Sequence, residues 1–187
     1  MSQKNEHTPE RLDFITPTFM TILQFFLADP MKEHHEREVV RRAGVSEGSA
    51  NKILRLLADL DLLTREGRGR MIFYRLNLKE PTVRQFKVLI NVYALKELVD
   101  ALKNHTRIII LFGSCSQGTD AKESDYDLFI LTSEKGYVRG KVSDFNRKGS
   151  RKAAPIMMDA NGFASLKRAD RPLYENMQRG IVLWETE

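Results

Sequence analysis

The sequence has a single cysteine, Cys115, among its 187 residues. One thiol cannot form an intramolecular disulfide framework or a cysteine-based zinc site. No apolar stretch has the length of a membrane-spanning helix, and the polar start, Met1 to His7, lacks the pattern of a signal peptide. Internal repeats and low-complexity segments are also missing. We therefore expect a cytoplasmic protein that does not associate with a membrane.

Histidine is scarce as well, and the four histidines have no companions at metal-ligand spacing. We predict that His34 and His35, which precede a helix, are surface residues rather than metal ligands. What the sequence does have is 42% hydrophobic and 29% charged residues, with a formal net charge of +5. That length and composition allow one large domain or two small ones, and the basic excess is compatible with nucleic acid as a partner.

The N-terminal half has the pattern of three helices. After about a dozen polar residues that we expect to be loose, Thr16-Pro17 predicts the N-cap and first position of a helix. A second helix is predicted from Glu36 to Ala43 with Gly44 as its C-cap, and Ser46 caps a third helix that has one apolar face. Helix, tight glycine turn and helix is the pattern of a helix-turn-helix.

Residues 62–77 then predict a β-hairpin with Gly67 to Arg70 at its tip. Three helices and such a hairpin look like a winged-helix domain, which we place at residues 1–80, with a wing from Arg65 to Arg75. The resemblance implies DNA binding, while dimerisation or protein docking is the alternative use of such a domain. The predicted DNA contacts are polar residues of the third helix and tip arginines: Ser46, Ser49, Asn51, Lys52, Arg55, Arg68 and Arg70.

A second domain is predicted over residues 81–187. Pro81 precedes a long helix, 82–103, whose apolar residues cover more than one stripe, which indicates burial on two sides or a dimer seam. The most informative stretch follows, from Ile108 to Leu131. An apolar strand ends at Gly113-Ser114, and Asp125-Tyr126-Asp127 opens a second strand.

Alternation along a strand places Asp125 and Asp127 on one side, where two carboxylates repel each other unless a cation lies between them. Oxygen ligands suit Mg²⁺, or Mn²⁺ in its place. Glycine allows close backbone approach to a ligand, and Ser114 offers a hydroxyl and an N–H to a phosphate. Strand, glycine-serine turn, helix and paired aspartates are thus suited to binding an NTP and its metal ion.

This stretch resembles the nucleotidyltransferase superfamily of DNA polymerase β, in particular its minimal nucleotidyltransferases. The matching positions are Gly113, Ser114, Gly118, Ser124, Asp125 and Asp127. The resemblance implies Mg²⁺-dependent transfer of a nucleotidyl group from an NTP to a hydroxyl, with catalytic and metal-binding roles for both aspartates and nucleotide binding by the other four. Minimal nucleotidyltransferases often act as antitoxins toward helical toxins, so a protein acceptor is one expectation beside RNA or a small molecule.

The family's third carboxylate is missing from its usual place on the next strand, which falls on Ala153, Ala154 or Pro155. Asp159 is a weak substitute. The alternative function is therefore a DNA-binding regulator, or antitoxin, whose second domain senses nucleotide or supports a homodimer. We predict a strand from Ala153 to Met158, two short helices and an apolar tail, Ile181 to Trp184. The preceding loop and segment, 132–152, is basic and could hold triphosphate or an acidic acceptor, or be a solvated face: Arg139, Lys141, Arg147, Lys148, Arg151 and Lys152.

The expected fold class is therefore α+β, a winged helix-turn-helix followed by a small nucleotidyltransferase-type α/β domain.

Overall fold

The computed structural model describes residues 12–186, and the chain divides into two compact units between Val83 and Arg84. The predicted loose N-terminus lies outside the described residues. The described part contains helices and two separate sheets, which confirms the mixed α/β class. Within residues 12–186 no helix combines the length and apolarity needed to span a membrane.

The helices of unit 1 are α1 (Pro17–Leu27), α2 (Glu36–Ala43) and α3 (Glu47–Asp59). The Thr16 hydroxyl accepts a hydrogen bond from the Phe19 N–H at 3.2 Å and so caps α1. Gly44 ends α2 with φ +67°, a left-handed conformation that suits glycine. The starts of α1 and α2 and the capping of α3 by Ser46 confirm the sequence prediction.

The sheet of unit 1 is antiparallel, with strands β1 (His34–His35), β2 (Leu63–Arg68) and β3 (Met71–Leu76) in the order β1-β3-β2. The predicted hairpin is present, but its tip is shorter than predicted. Because Arg68 pairs with Met71, the turn consists of Gly69 and Arg70 alone.

One prediction for this unit is wrong: His34 is a core residue, with 1% of its surface exposed. Its ring lies 4.5 Å from that of Phe25 and 5.6 Å from that of Phe26, and its Nδ1 lies 3.1 Å from Glu38 Oε1. The two histidines form strand β1, and strand alternation turns the first of them inward. His35 Nδ1 instead accepts the Glu38 N–H at the start of α2.

The predicted continuous helix 82–103 is also wrong. The chain forms α4 (Pro81–Ala94) and α5 (Lys96–Leu102), followed by a 3₁₀ turn, Lys103–His105. The break is at Leu95, whose N–H bonds to the Val92 carbonyl in a tighter turn. Leu95 is fully buried in the same core cluster as Leu98 and Leu102, so packing against the sheet overrides the helical sequence pattern.

The sheet of unit 2 has the order β6-β5-β4-β7. Its strands are β4 (Ile108–Phe112), β5 (Tyr126–Leu131), β6 (Ala153–Met158) and β7 (Ile181–Glu185). β5 and β6 are parallel, while β4 is antiparallel to both β5 and β7. The prediction of β6 is confirmed, and the apolar tail proves to be an edge strand.

Helices cover both faces of this sheet. They are α6 (Gly113–Gln117), α7 (Lys135–Lys148), α8 (Ala160–Ala169) and α9 (Arg171–Gln178). Leu98 of α5 and Val138 of α7 pack with Leu128 on one face, and Leu166 of α8 packs with Phe129 on the other. The basic loop and segment predicted over residues 132–152 contain α7, whose Val138 and Val142 face the core.

Candidate active site

The predicted site is built where β4 turns into α6 beside the start of β5. Phe112, the last residue of β4, pairs with Asp127 of β5. Gly113 follows at once with φ +70°, and a Cβ added there would overlap Asp127 Oδ2. The aspartate carboxylate therefore lies against the backbone of the glycine turn. Only glycine allows both this conformation and this approach.

The two aspartates lie close enough to interact. Asp127 is half-buried, and its burial, followed by the charge of Asp125, raises the pKa of Asp127 above its usual range. In the described part of the chain, neither carboxylate has an ion pair or a side-chain hydrogen bond. The Ser114 hydroxyl likewise makes no side-chain hydrogen bond within residues 12–186. Two unpaired carboxylates and a hydroxyl surround the glycine turn.

The other two predicted nucleotide-binding residues shape the loop between α6 and β5. Gly118 ends α6 with φ +67°, and a Cβ added there would overlap the Arg84 carbonyl. Ser124 Oγ accepts a hydrogen bond from Ala121 N–H at 2.9 Å and closes the turn that leads into Asp125. Both residues have a structural reason for their identity that does not involve a nucleotide.

A buried ionic cluster under this loop was missed by the sequence analysis. Asp120 is 6% exposed, and its carboxylate meets Arg151 Nη1 at 2.8 Å, Asn91 Nδ2 at 3.1 Å and Lys87 Nζ at 3.4 Å. Arg151 also donates to the Ala121 carbonyl and lies over the Tyr126 ring. We name Lys87, Asn91, Asp120 and Arg151 the loop anchor, because they join α4, the loop and the approach to β6.

The loop anchor changes the interpretation of Arg151, which we grouped with cations that could hold phosphate. Burial alone lowers the pKa of Arg151, but its hydrogen bond to Asp120 and the charge of Asp120 raise it above the usual value. The charge of Arg151 is thus neutralised by Asp120 within the fold. The sequence contains one indication of the loop anchor: Lys87 and Asn91 are polar residues four apart on an otherwise apolar helix face.

Cys115 lies beside this cluster and has the properties of a structural residue. Its side chain is fully buried, and its Sγ lies 3.2 Å from the Asp125 carbonyl oxygen, to which it donates. Burial raises the pKa of the thiol to about 11, so it stays protonated at neutral pH. This fits a small residue at the start of α6 rather than a reactive thiol.

Among the described residues, no third carboxylate lies next to the aspartate pair. β6 pairs with β5 so that Ala154 lies opposite Asp127. Asp159 follows the other end of β6, caps α8 by accepting the Gly162 N–H at 2.9 Å, and lies 3.7 Å from Lys135. Asp159 is therefore no substitute for the missing acid. Within residues 12–186, no cluster of three or more His, Cys, Asp or Glu side chains could hold a metal ion.

The predicted DNA contacts of unit 1 fall into two groups. Lys52, Arg55 and Arg70 are exposed. Arg68 is engaged within the fold, since it donates to Glu33 at 2.8 Å and to Glu66 at 2.7 Å.

The polar residues at the start of α3 are also engaged. Asn51 donates to Glu36 Oε1 at 2.9 Å, and Ser46 caps α3 and donates to the Ser49 hydroxyl at 2.8 Å. The free cations are therefore the better candidates for phosphate contacts.

A match to a family model supports a nucleotidyltransferase-type unit 2. Residues 96–187 match the family model "Polymerase beta, Nucleotidyltransferase". Among solved structures, a candidate nucleotidyltransferase from Sulfolobus solfataricus is similar with a TM-score of 0.39 and 15% sequence identity. That similarity covers 58% of this chain and 92% of the other. No curated protein matches the chain.

Proposed function

We propose that unit 2 catalyses Mg²⁺-dependent transfer of a nucleotidyl group from an NTP to a hydroxyl acceptor, and that unit 1 is a winged-helix domain that binds DNA. The observation that supports the transferase is the position of Asp127 against the Gly113 turn, with Asp125 beside it and no cation of residues 12–186 paired to either. The match of residues 96–187 to the nucleotidyltransferase family agrees with this assignment.

The donor set fits one hard divalent cation. Asp125 and Asp127 offer only oxygen atoms, and their mutual repulsion is relieved by a cation between them. Mg²⁺ or Mn²⁺ held there would neutralise charge on the phosphates of an NTP. The set does not extend to a second metal ion, because Ala154 occupies the position opposite Asp127.

The remaining residues bind and orient the substrate. Ser114 supplies a hydroxyl donor to the β- and γ-phosphates, and Gly113 leaves room for the Asp127 carboxylate against the backbone of the turn. In the reaction the acceptor hydroxyl oxygen forms a bond to the α-phosphorus and its proton passes to solvent. The bond between the α-phosphorus and the oxygen that bridges to the β-phosphate breaks, and pyrophosphate leaves. The rigid loop above the loop anchor keeps Asp125 in place during this exchange.

The test is transfer of label from each α-labelled NTP, with Mg²⁺ or Mn²⁺, to protein, RNA and small-molecule acceptors. A candidate toxin protein belongs in the acceptor panel. Asp125→Asn/Asp127→Asn should lose transfer, because the carboxylates are removed without a change in size. The matched control is Glu97→Gln/Glu175→Gln, which removes two exposed carboxylates elsewhere in unit 2 and should keep full activity. Transfer that survives loss of both aspartates would refute the proposal.

Ala154 favours a second candidate function, a DNA-binding regulator whose unit 2 binds nucleotide but turns it over slowly or not at all. Ala154→Asp would restore a carboxylate opposite Asp127, and Ala154→Asn is its uncharged control. A wild-type protein that binds NTP without transfer, together with transfer by Ala154→Asp alone, would support the regulator. Absence of metal-dependent NTP binding would contradict both functions.

DNA binding by unit 1 is tested separately with duplex DNA over a salt series. Lys52→Ala/Arg70→Ala should weaken binding and flatten its salt dependence by about one unit of slope for each lost phosphate contact. Lys167→Ala/Arg168→Ala removes two exposed charges from unit 2 and should leave duplex binding unchanged. Equal effects of the two pairs would show only a general response to net charge.

A further inference from the structure

We propose that a basic groove between α7 and β6 binds single-stranded nucleic acid through its phosphates and sugars. This α7–β6 groove has a volume of roughly 420 Å³. Arg139, Arg147 and Lys152 supply positive charge, Ser143 and Asn146 supply neutral polar groups, and the floor is apolar. The lining contains no carboxylate, although both signs of charge are common on the surface of unit 2.

The donors of α7 form one stripe along the groove. Arg139, Ser143 and Arg147 are spaced four residues apart and so lie on the same side of the helix. Eight residues span about 12 Å along the axis at ~1.5 Å per residue. A stacked single strand advances ~3.4 Å per nucleotide, so the two guanidiniums can meet phosphates about three or four nucleotides apart.

The groove is already formed in the free chain. Asn146 donates to the Ala153 carbonyl at 3.0 Å and accepts the Ala153 N–H at 2.7 Å, which fixes the start of β6 against α7. Lys152 Nζ donates to the carbonyls of Asn146 and Gly149. A ligand therefore meets a rigid surface and does not have to order it first.

The two arginines remain available to a polyanion. Arg139 is exposed and forms no ion pair within residues 12–186. Arg147 pairs with Asp144 three residues earlier, with 76% and 48% of the two side chains exposed. Solvent screens exposed pairs of this kind, so a phosphate can replace Asp144 with little loss of stability.

Pro155 argues for nucleic acid over an extended peptide as the occupant. β6 is the edge strand of the sheet, and a peptide could add to such an edge through backbone hydrogen bonds. Pro155 stands in the middle of β6 and has no N–H to give. Phosphate and sugar oxygens need only donors from the protein, and the guanidiniums of Arg139 and Arg147 and the hydroxyl of Ser143 provide them.

The groove is separate from the proposed transfer site. Ala153 and Met157, which line it, belong to the core on the α5/α7 face, whereas Phe129 belongs to the α8/α9 face. Asp127 shares the side of Phe129, because residues two apart point the same way on a strand. The groove thus lies on the opposite face of the sheet from Asp127, and nucleic acid binding there does not depend on transferase activity.

The experiment measures fluorescence anisotropy of a labelled oligo-U RNA of about 12 nucleotides, and of oligo-dT of equal length, on the full chain over a salt series. Arg139→Gln/Arg147→Gln should weaken binding of both by about tenfold or more and lower the salt slope by about 1.4, at ~0.7 per single-strand contact. Lys167→Gln/Arg168→Gln, on the other face, is the control of equal charge and should bind as wild type. Each variant is also measured with Lys52→Ala/Arg70→Ala added, so that nucleic acid binding by unit 1 does not mask a loss of binding in the groove.

Several outcomes would overturn the proposal. Equal loss in the groove pair and in the control pair would show unspecific attraction to net charge. Unchanged binding by the groove pair would place the site elsewhere. A poly-glutamate peptide of the same charge that competes as well as RNA would show a general polyanion surface. Loss of RNA binding in Asp125→Asn/Asp127→Asn would place the nucleic acid at the transfer site and not in the groove, whereas unchanged RNA binding with lost NTP transfer is the expected result.

Discussion

Asp120 and the pair Asp125 and Asp127 belong to one short stretch of chain, yet their surroundings are opposite. Asp120 is buried and meets Lys87, Asn91 and Arg151 within 3.4 Å. Asp125 and Asp127 reach the surface beside a glycine turn and have no such partners in the described chain. The charge of Asp120 is neutralised by neighbouring cations of the fold, whereas the charges of Asp125 and Asp127 remain available to a bound cation.

The two environments depend on each other. Holding two repelling carboxylates together costs free energy, and the loop that carries Asp125 would relax to separate them if it were free to move. The loop anchor prevents this by fixing Asp120 and the Ala121 carbonyl. The buried cluster therefore supplies the rigidity that the exposed pair requires.

The largest effect is expected when Asp120 is changed to Ala, which leaves Lys87 and Arg151 without their carboxylate. Breaking a buried ion pair from one side costs about 3–5 kcal/mol. We expect a loss of this size in the free energy of unfolding of unit 2, measured by urea titration with Trp184 fluorescence. Asp100→Ala removes an acid from an exposed ion pair, and we expect little change in the free energy of unfolding. Similar losses in the two variants would remove the distinction between the two kinds of aspartate.

An intermediate effect is expected when Gly113 is changed to Ala. The left-handed conformation and the overlap with Asp127 should destabilise unit 2 by about 1–3 kcal/mol and reduce NTP transfer. Gly140→Ala is the matched control, because it lies within α7 with open space around it. There alanine should stabilise the helix by about 0.5–1 kcal/mol. Thermal melts and the labelled-NTP assay would check both, and equal signs would contradict the close approach of Asp127.

The smallest effect is expected from Asp127→Asn. Because burial and the charge of Asp125 raise the pKa of Asp127, ionisation of its carboxylate destabilises the fold as pH rises through the carboxyl range. Without metal, the Asn variant should therefore melt slightly higher than wild type at pH 7, by at most a few degrees, and the difference should vanish at acid pH.

Added Mg²⁺ should raise the melting temperature of wild type but not of Asp127→Asn, so that wild type becomes the more stable of the two. Thermal melts over a Mg²⁺ titration at constant ionic strength would measure this difference. A Mg²⁺ shift of equal size in the variant would place the cation away from Asp127.

The parts of the structure that could be predicted from sequence are those fixed by local rules. Thr16-Pro17 and Gly44 specify helix ends through capping, and β-branched runs bounded by glycine specify β4. Asp125 and Asp127 share a side because strand alternation requires it. The contact of Asp127 with Gly113 follows from the antiparallel pairing of β4 and β5, because Asp127 pairs with Phe112, the residue before the glycine turn.

Most of the errors come from packing between elements. No residue near Leu95 in the sequence predicts the break between α4 and α5, which follows from burial of Leu95 against the sheet. The predictions for His34 and Arg151 miss their partners, Phe25 and Asp120, because those partners lie in other elements. In α7, only Val138 and Val142 are buried, and most other residues of the helix are polar or charged. The apolar periodicity is therefore too weak to predict this helix.

Strand β4 has a consequence for the order in which unit 2 is made. It carries the glycine turn, and its two sheet neighbours come from very different points of the chain: β5 follows closely, whereas β7 is the last strand of the described residues. The hairpin of β4 and β5 can therefore form early during translation. The other edge of β4 stays open to wrong partners until residues 181–185 have been made, and during that interval the nascent chain is prone to aggregate.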